Sequence, residues 1–373
     1  MNIARLVKSI VTGLAVTMLC TPAFAADTIK LGVAGAHSGD LASYGLPTVN
    51  AAKIVVEKVN AAGGINGKMI ELLIQDEQCK AEQATNVATK LVSDGATVIL
   101  GHICSGATKA ALPIYNENKV ITMSPSATNP ALTKSGDNPT FFRTIAPDDL
   151  QAQLAVNFAI NKLGAKKIAV MHDKGDYGKG FAEFVRTFVE KDGNATVALF
   201  EGVTPGAPDY SAVVQKIRRS KADTVIYGGY HPEAAKLVSQ MRKKRIKANF
   251  VGADGVKDDT FIKVAGKNAE GVYASGPIDV TQLPLYKQAI QDHIDTFGTK
   301  PGAFYPAAYA ATVAMLTAIE RAQSTDFAAI AKQLHTEYVN TPIGKIRFNE
   351  QGDAEGIGFS MYQVQDGKYV EIQ

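Results

Sequence analysis

The sequence lacks an excess of charge, a membrane-length apolar run, an ample supply of cysteine and any recognisable catalytic motif, and each absence narrows its function. Lys+Arg 39 against Asp+Glu 36 leaves +3 over 373 residues, too little to displace counterions from a nucleic acid or an anionic membrane. No nucleic-acid partner is expected. The six histidines, His37, His102, His172, His231, His293 and His335, form no HExxH pair and have no second ligand at i+4, and no GxSxG nucleophile turn is present. Gly63-Gly64-Ile65-Asn66-Gly67-Lys68 misses a phosphate loop at both ends, where Ala62 and Met69 stand, and reads as a helix-ending turn before a strand. Gly175-Asp176-Tyr177-Gly178-Lys179-Gly180 lacks the spacing of a dinucleotide fingerprint. Asn194-Ala195-Thr196 is a glycosylation sequon only in a cell that glycosylates. No catalysis, metal or cofactor is expected.

The apolar run from Ile10 to Leu19 is about half the roughly 20 residues needed to cross a bilayer. With Arg5 and Lys8 before it and Ala23-Phe24-Ala25 after it, residues 1–25 read as a secretory signal removed after Ala25. Met18 and Leu19 before Cys20 argue against a lipid attachment there. Loss of Arg5 and Lys8, with no acid, lowers the net charge to +1. Of three cysteines, Cys79 and Cys104 remain, in an oxidising compartment where a single disulfide is expected; two reduced buried thiols are the alternative.

What is present is ordinary globular material: 46% hydrophobic, 20% charged and 33 glycines. That composition excludes disordered, collagen-like and coiled-coil chains, and the length suffices for two cores. Short β-branched runs alternate with helical periods: Ile29 to Ala34, Leu46 to Asn60, Met69 to Gln75, Glu82 to Val92, Thr97 to Gly101, Thr108 to Asn116, Val120 to Met123. Strands apolar almost throughout mark a parallel sheet covered on both faces. After Phe141-Phe142-Arg143-Thr144 the rhythm restarts with Asp149 to Lys162 and runs through Lys167 to His172, Phe181 to Glu190, Thr196 to Phe200, Tyr210 to Arg219, Thr224 to Tyr227, Glu233 to Arg242 and Phe250 to Gly252. The fold class is α/β, with two doubly wound βα lobes.

A strand at Gly271 to Ser275 precedes three successive helical patterns, Leu285 to Thr296, Ala308 to Ala322 and Asp326 to Tyr338. Those helices need a sheet to cover, so the chain is expected to return to the first lobe. The hairpin Phe359 to Glu371, turning at Gln365-Asp366-Gly367, is expected to return to the second. The expected division is 26–145 with 277–357 for the N-terminal lobe and 146–276 with 358–373 for the C-terminal lobe. Several crossings make a hinge, and a ligand belongs between the carboxyl ends of the two sheets.

Hydroxyl and glycine chemistry recurs at strand ends ahead of helices, in Gly101-His102-Ile103-Cys104-Ser105-Gly106-Ala107-Thr108 and Ser124-Pro125-Ser126-Ala127-Thr128-Asn129-Pro130. Free amides with a hydroxyl beside them make a carboxylate site; plain N-capping is the alternative. The far half offers Asp173 to Tyr177, Tyr227 to Glu233 and Gly252-Ala253-Asp254-Gly255. Asp254 suits an ammonium if shielded from water, or is a turn aspartate. Tyr44, Tyr177 and Tyr230 suit flat pocket walls, or are ordinary half-buried aromatics.

Taken together, Gly35-Ala36-His37-Ser38-Gly39 with Tyr44-Gly45, Asn60-Ala61-Ala62-Gly63-Gly64-Ile65, Gly101 to Ser105, Pro125 to Thr128, His172-Asp173-Lys174 with Tyr177-Gly178, and Tyr227 to Glu233 give the chain a specific likeness. It resembles, over essentially its whole length beyond the leader, the periplasmic leucine/isoleucine/valine-binding proteins of bacterial transporters. The resemblance implies a type I bilobal fold and a Cys79-Cys104 disulfide. It also implies a zwitterionic amino acid with its carboxylate at Ser105 and Thr128. The ammonium would fall to the Ser126 backbone, with Ala127 beside it, and to the Asp254 carboxylate, while Tyr44, Tyr177 and Tyr230 border the ligand. A monomeric receptor that closes and meets an ABC permease in the inner membrane follows. One position departs: the usual ammonium partner is a glutamate, and Asp254 is one methylene shorter. The alternatives are a receptor for another small amino acid, organic carboxylate or amide, an exported α/β enzyme, and a sensor docking to a signalling receptor.

Overall fold

The computed structural model describes residues 28–372; the expected leader, residues 1–25, lies outside the described residues. The chain forms β1 (Ile29–Gly35), β2 (Ile70–Asp76), β3 (Val98–Leu100), β4 (Ile121–Ser124) and β5 (Phe141–Arg143), then β6 (Lys167–His172), β7 (Thr196–Gly202), β8 (Thr224–Gly228), β9 (Asn249–Gly252) and β10 (Tyr273–Pro277). A small pair, β11 (Val339–Thr341) and β12 (Gly344–Ile346), precedes β13 (Phe359–Gln365) and β14 (Lys368–Ile372). The first five strands make one sheet in the order β2-β1-β3-β4-β5, all parallel. The second sheet runs β14-β13-β10-β9-β8-β6-β7, with β6 to β10 parallel and the last two strands antiparallel.

Helices cover both faces of each sheet, as the fully apolar strands require. The helices Pro284–Phe297, Tyr305–Ala322 and Phe327–Thr336 bury Ala289, Tyr305, Ala311, Met315 and Ile330 in one core with Leu31, Val33 and Ile121 of the first sheet. The terminal hairpin adds to the second sheet through β10. Its two-residue turn, Asp366 and Gly367, has φ of 50° and 71°, the left-handed pair that matches strand twist. The chain therefore passes between the sheets three times: after Arg143, after Pro277, and between Ile346 and Phe359.

Element edges differ from the sequence expectation where side chains carry no period. The first helix begins at Ala42 and takes in Pro47, ahead of the expected Leu46, because Gly45 and Pro47 are poor helix formers that tertiary packing overrides. The third helix begins at Ser105 rather than Thr108, since Ser105-Gly106-Ala107 presents no apolar stripe. Asp326 caps Phe327–Thr336 by accepting from the amides of Ala328 and Ala329.

A Cys79–Cys104 disulfide with Cα atoms 5.5 Å apart ties the loop after β2 to the loop after β3. For its separation of 25 residues, the chain-entropy model gives about 3.5 kcal/mol. Cys104→Ser is expected to lower the melting temperature by roughly 5–10 °C. Oxidised protein unfolded without reductant should show no thiol reactive to Ellman's reagent at Cys79 or Cys104; two titratable thiols would remove the bridge from the native molecule.

Candidate functional site

In both sheets the chain order reverses beside the first strand of the lobe: β1 lies between β2 and β3, and β6 lies between β7 and β8. A crevice opens at the carboxyl ends of strands at such switch points. The two crevices face one another, and every expected site residue sits on a loop or helix start at one of them. Tyr44 follows β1, and Gly45 behind it is obligatory because a Cβ there would lie 1.9 Å from the Ala36 carbonyl. The loop after β3 is pressed onto β1 in the same way: Gly101 has φ of 131°, and a Cβ would meet the Ala34 carbonyl at 2.1 Å. That loop delivers Ile103, the disulfide and Ser105.

One small pocket is lined by Tyr44, Ile103 and Ser126 with Phe304 from the first lobe, and by Tyr177, Tyr230, Asp254 and Gly255 from the second. Five of the eight expected residues thus share one wall system. Ser105, Ala127 and Thr128 are buried immediately behind Ser126 but are not among its lining residues. The rings form an arc: Phe304 and Tyr44 have centroids 5.6 Å apart, Tyr44 and Tyr230 5.9 Å, Tyr230 and Tyr177 5.1 Å. About 10 Å³ is free inside, room for roughly one water. Outward, past Tyr177 and Tyr230, the cleft widens to about 480 Å³ beside Asp40, Lys80, Asp176 and Glu233.

The two lobes touch across the cleft. The Tyr44 hydroxyl donates to the Gly255 carbonyl at 2.5 Å, accepts from the His231 amide at 3.3 Å, and lies 2.6 Å from His231 Nδ1. Burial holds the His231 imidazole below its ordinary pKa. Nearer the rim, Lys109 Nζ reaches Asp176 Oδ1 at 2.8 Å and Asn129 Nδ2 donates to the Asp176 carbonyl at 2.7 Å.

Capping does not explain the polar residues. Ser105 is the first helical residue, after Cys104 at the cap position, and its Oγ accepts from the Asn129 amide at 3.2 Å, linking the two hydroxyl-bearing loops. Ser126 Oγ donates to the Ile103 carbonyl at 2.8 Å. Thr128 Oγ1 is buried beside the Asp148 carboxyl without a hydrogen bond of ordinary geometry. Asp254 opens a single 3₁₀ turn and accepts from the Tyr177 hydroxyl at 2.5 Å, while that hydroxyl accepts from the Gly255 amide at 2.9 Å. Burial raises the Asp254 carboxyl above its ordinary pKa, against the opposing pull of Tyr177 and the nearby Gln151 amide. A buried carboxyl at that price in solvation is set up to meet a cation.

Sequence reasoning did not find Ile103 and Phe304 as wall residues, nor Asp148 and Gln151. Phe304 sits in left-handed backbone, φ 62°, ahead of the helix beginning at Tyr305, and an apolar residue in such a bend carries no signature of a site. Asp148 and Gln151 start the helix that follows the first crossing, and both are fully buried. Burial, with Asp254 next in effect, drives the Asp148 carboxyl well above its ordinary range. In the sequence these are first-turn residues of a helix, where acids are commonplace.

The family model of periplasmic binding proteins matches residues 28–368. The chain is 36% identical over 354 residues to a leucine-, isoleucine-, valine-, threonine- and alanine-binding protein of Pseudomonas aeruginosa, covering 94% of this chain and 93% of that one. Among solved structures, a leucine-binding protein of Thermotoga maritima superposes with a TM-score of 0.86 at 25% identity, over 93% of this chain and 98% of that one. The substrate-binding protein of a branched-chain amino acid transporter from Streptococcus pneumoniae, in complex with isoleucine, gives 0.82 at 26%, over 93% and 100%. With a family match running from the first strand to the terminal hairpin and a relative this similar along nearly its whole length, the chain belongs to the periplasmic binding protein family.

Proposed function

We propose that the chain is a periplasmic receptor that closes on a branched aliphatic L-amino acid and hands it to an ABC permease. The observation that carries this reading is the buried Asp254 carboxyl, set among aromatic and aliphatic walls contributed by both lobes. Such a site offers a counter-charge for an ammonium and an apolar surface for a side chain, and it forms only when the lobes meet. The names of the relatives supply the ligand class. Within this reading the lobes are 26–145 with 277–357 and 146–276 with 358–373, hinged at the three crossings. Ser105 and Thr128 take the carboxylate, the Ser126 backbone, with Ala127 beside it, and Asp254 take the ammonium, and Tyr44, Tyr177 and Tyr230 enclose the rest. Export through the leader ending at Ala25 brings the receptor, a monomer, to its permease; no helix among the described residues is long and apolar enough to cross a membrane.

A second reading, a preference for smaller amino acids, draws on the tightness of the pocket and on the threonine and alanine named for the Pseudomonas relative. Calorimetric titration with leucine, isoleucine, valine, threonine, alanine and an organic carboxylate tests both. Binding of leucine, isoleucine and valine ahead of the rest supports the first; tighter binding of alanine or threonine replaces it with the second. Turnover of a bound ligand would instead make the chain an exported enzyme.

A further inference from the structure

We propose that Arg143 is a positioning residue for the carboxylate end of the ligand: its guanidinium brackets Thr128 and ties that loop to the third crossing at Asp353. The inference rests on Thr128 contacting the ligand as proposed above. Arg143 is the last residue of β5, where the first crossing begins, and it is fully buried. Its Nη1 donates to the carbonyls of Ala127 at 3.2 Å and Asn129 at 3.0 Å, the residues on either side of Thr128. Nη2 donates to Thr133 Oγ1 at 2.6 Å, and Nε to Asp353 Oδ1 at 2.5 Å. The Thr128 carbonyl accepts from the Asp148 amide at 2.9 Å. Thr128 is thus fixed through its main chain on both sides, while its buried hydroxyl makes no hydrogen bond of ordinary geometry within the protein.

Only a planar fork with several fixed donors serves two carbonyls, a hydroxyl and a carboxylate together; the point charge of a lysine does not. Asp353 belongs to the strap between β12 and β13, and the main chains are joined there too. The Arg143 amide donates to the Gly352 carbonyl at 3.0 Å, and the Ala354 amide to the Arg143 carbonyl at 3.2 Å. Two of the three hinge crossings and the hydroxyl loop therefore meet on one side chain. A buried ion pair that merely held the fold would add little to stability relative to an apolar pair, and it would have no need to address the two peptide carbonyls that flank a ligand contact.

Arg143→Lys and Asp353→Asn, made separately in the full chain, test this by leucine titration, melting temperature and amide hydrogen exchange in the unliganded protein. In folded Arg143→Lys, leucine affinity is expected to fall at least 30-fold. The amides of Ala127 and Asn129, bonded to Ser124 Oγ and Ser105 Oγ, should exchange at least tenfold faster. Asp353→Asn, which keeps the fork, should lose about five- to tenfold in affinity. A lowered melting temperature with affinity within twofold of wild type and unchanged exchange at Ala127 and Asn129 would reduce Arg143 to a structural residue. If the wild type binds no amino acid, the proposed ligand falls, and the exchange rates alone decide whether the bracket exists. Should Arg143→Lys fail to fold, Asp353→Asn decides the matter: affinity and exchange at wild-type values overturn the proposal.

Discussion

Asp254→Asn is expected to weaken amino-acid binding by roughly 2–5 kcal/mol, the usual effect of removing one partner from a buried charge pair, while making the unliganded protein more stable at neutral pH. The second effect follows from linkage. Burial raises the Asp254 carboxyl in the folded chain above its ordinary value of 3.8, so the folded state holds that proton more tightly than the unfolded state does. Stability is then lost as pH rises from the ordinary carboxylate range through the raised value, and stays lower above it. Asparagine removes this loss, so the advantage of the variant is present at pH 7, shrinks on acidification and disappears below about 3.8. Calorimetric affinity and a melting series from pH 3 to 8 read the two effects separately. Undiminished affinity would take Asp254 out of the binding site. Asp254→Glu examines the shortened acid: if the cleft only closes slightly further to compensate, leucine binding stays within about tenfold, a difference of 1.4 kcal/mol. A larger loss means that aspartate makes room for a different ligand.

At the opposite end, Ser105→Ala combined with Thr128→Val removes two hydroxyl donors to a buried carboxylate, each worth roughly 1.5–3 kcal/mol. Affinity should therefore drop by orders of magnitude. The fold should persist, because Ser105 Oγ receives only the Asn129 amide within the protein and Thr128 Oγ1 makes no ordinary hydrogen bond. Circular dichroism establishes folding, and titration the affinity. Wild-type affinity in the double variant would return both hydroxyls to the role of local loop residues.

The architecture was legible because its signals are periodic. Strands such as Ile29–Gly35 and Lys167–His172 are buried nearly end to end, and a run apolar on both faces has few places to go except the middle of a covered sheet. The site was legible only where chemistry is unusual for its setting: hydroxyls clustered after β3 and β4, and an acid between small residues at Asp254. Ile103 and Phe304 escaped because an apolar wall residue looks like any core residue. Asp148 and Gln151 escaped for another reason. Their burial is created by the first crossing folding back between the lobes, and a sequence window holds no trace of which helix start ends up covered. Tyr44 stands between these cases: an aromatic pocket wall was expected, whereas its hydroxyl bonds to Gly255 and His231 of the other lobe depend on how two distant halves meet.

The three passages of the chain between the sheets also govern the order in which the molecule can assemble. The five strands of the first sheet are complete by Arg143, yet one face waits for helices that begin at Pro284. A growing or threading chain therefore has that face only partly covered, by the first helix with Val49, Ile54 and Val55, until some 140 further residues have followed. The second sheet closes only with the last hairpin, residues 359–372. Neither half is self-sufficient from the amino terminus onward, so folding is deferred until nearly the whole chain is available, and contacts of such long sequence separation form slowly. Fragments ending before residue 284 should accumulate as aggregation-prone intermediates rather than as an independent first lobe.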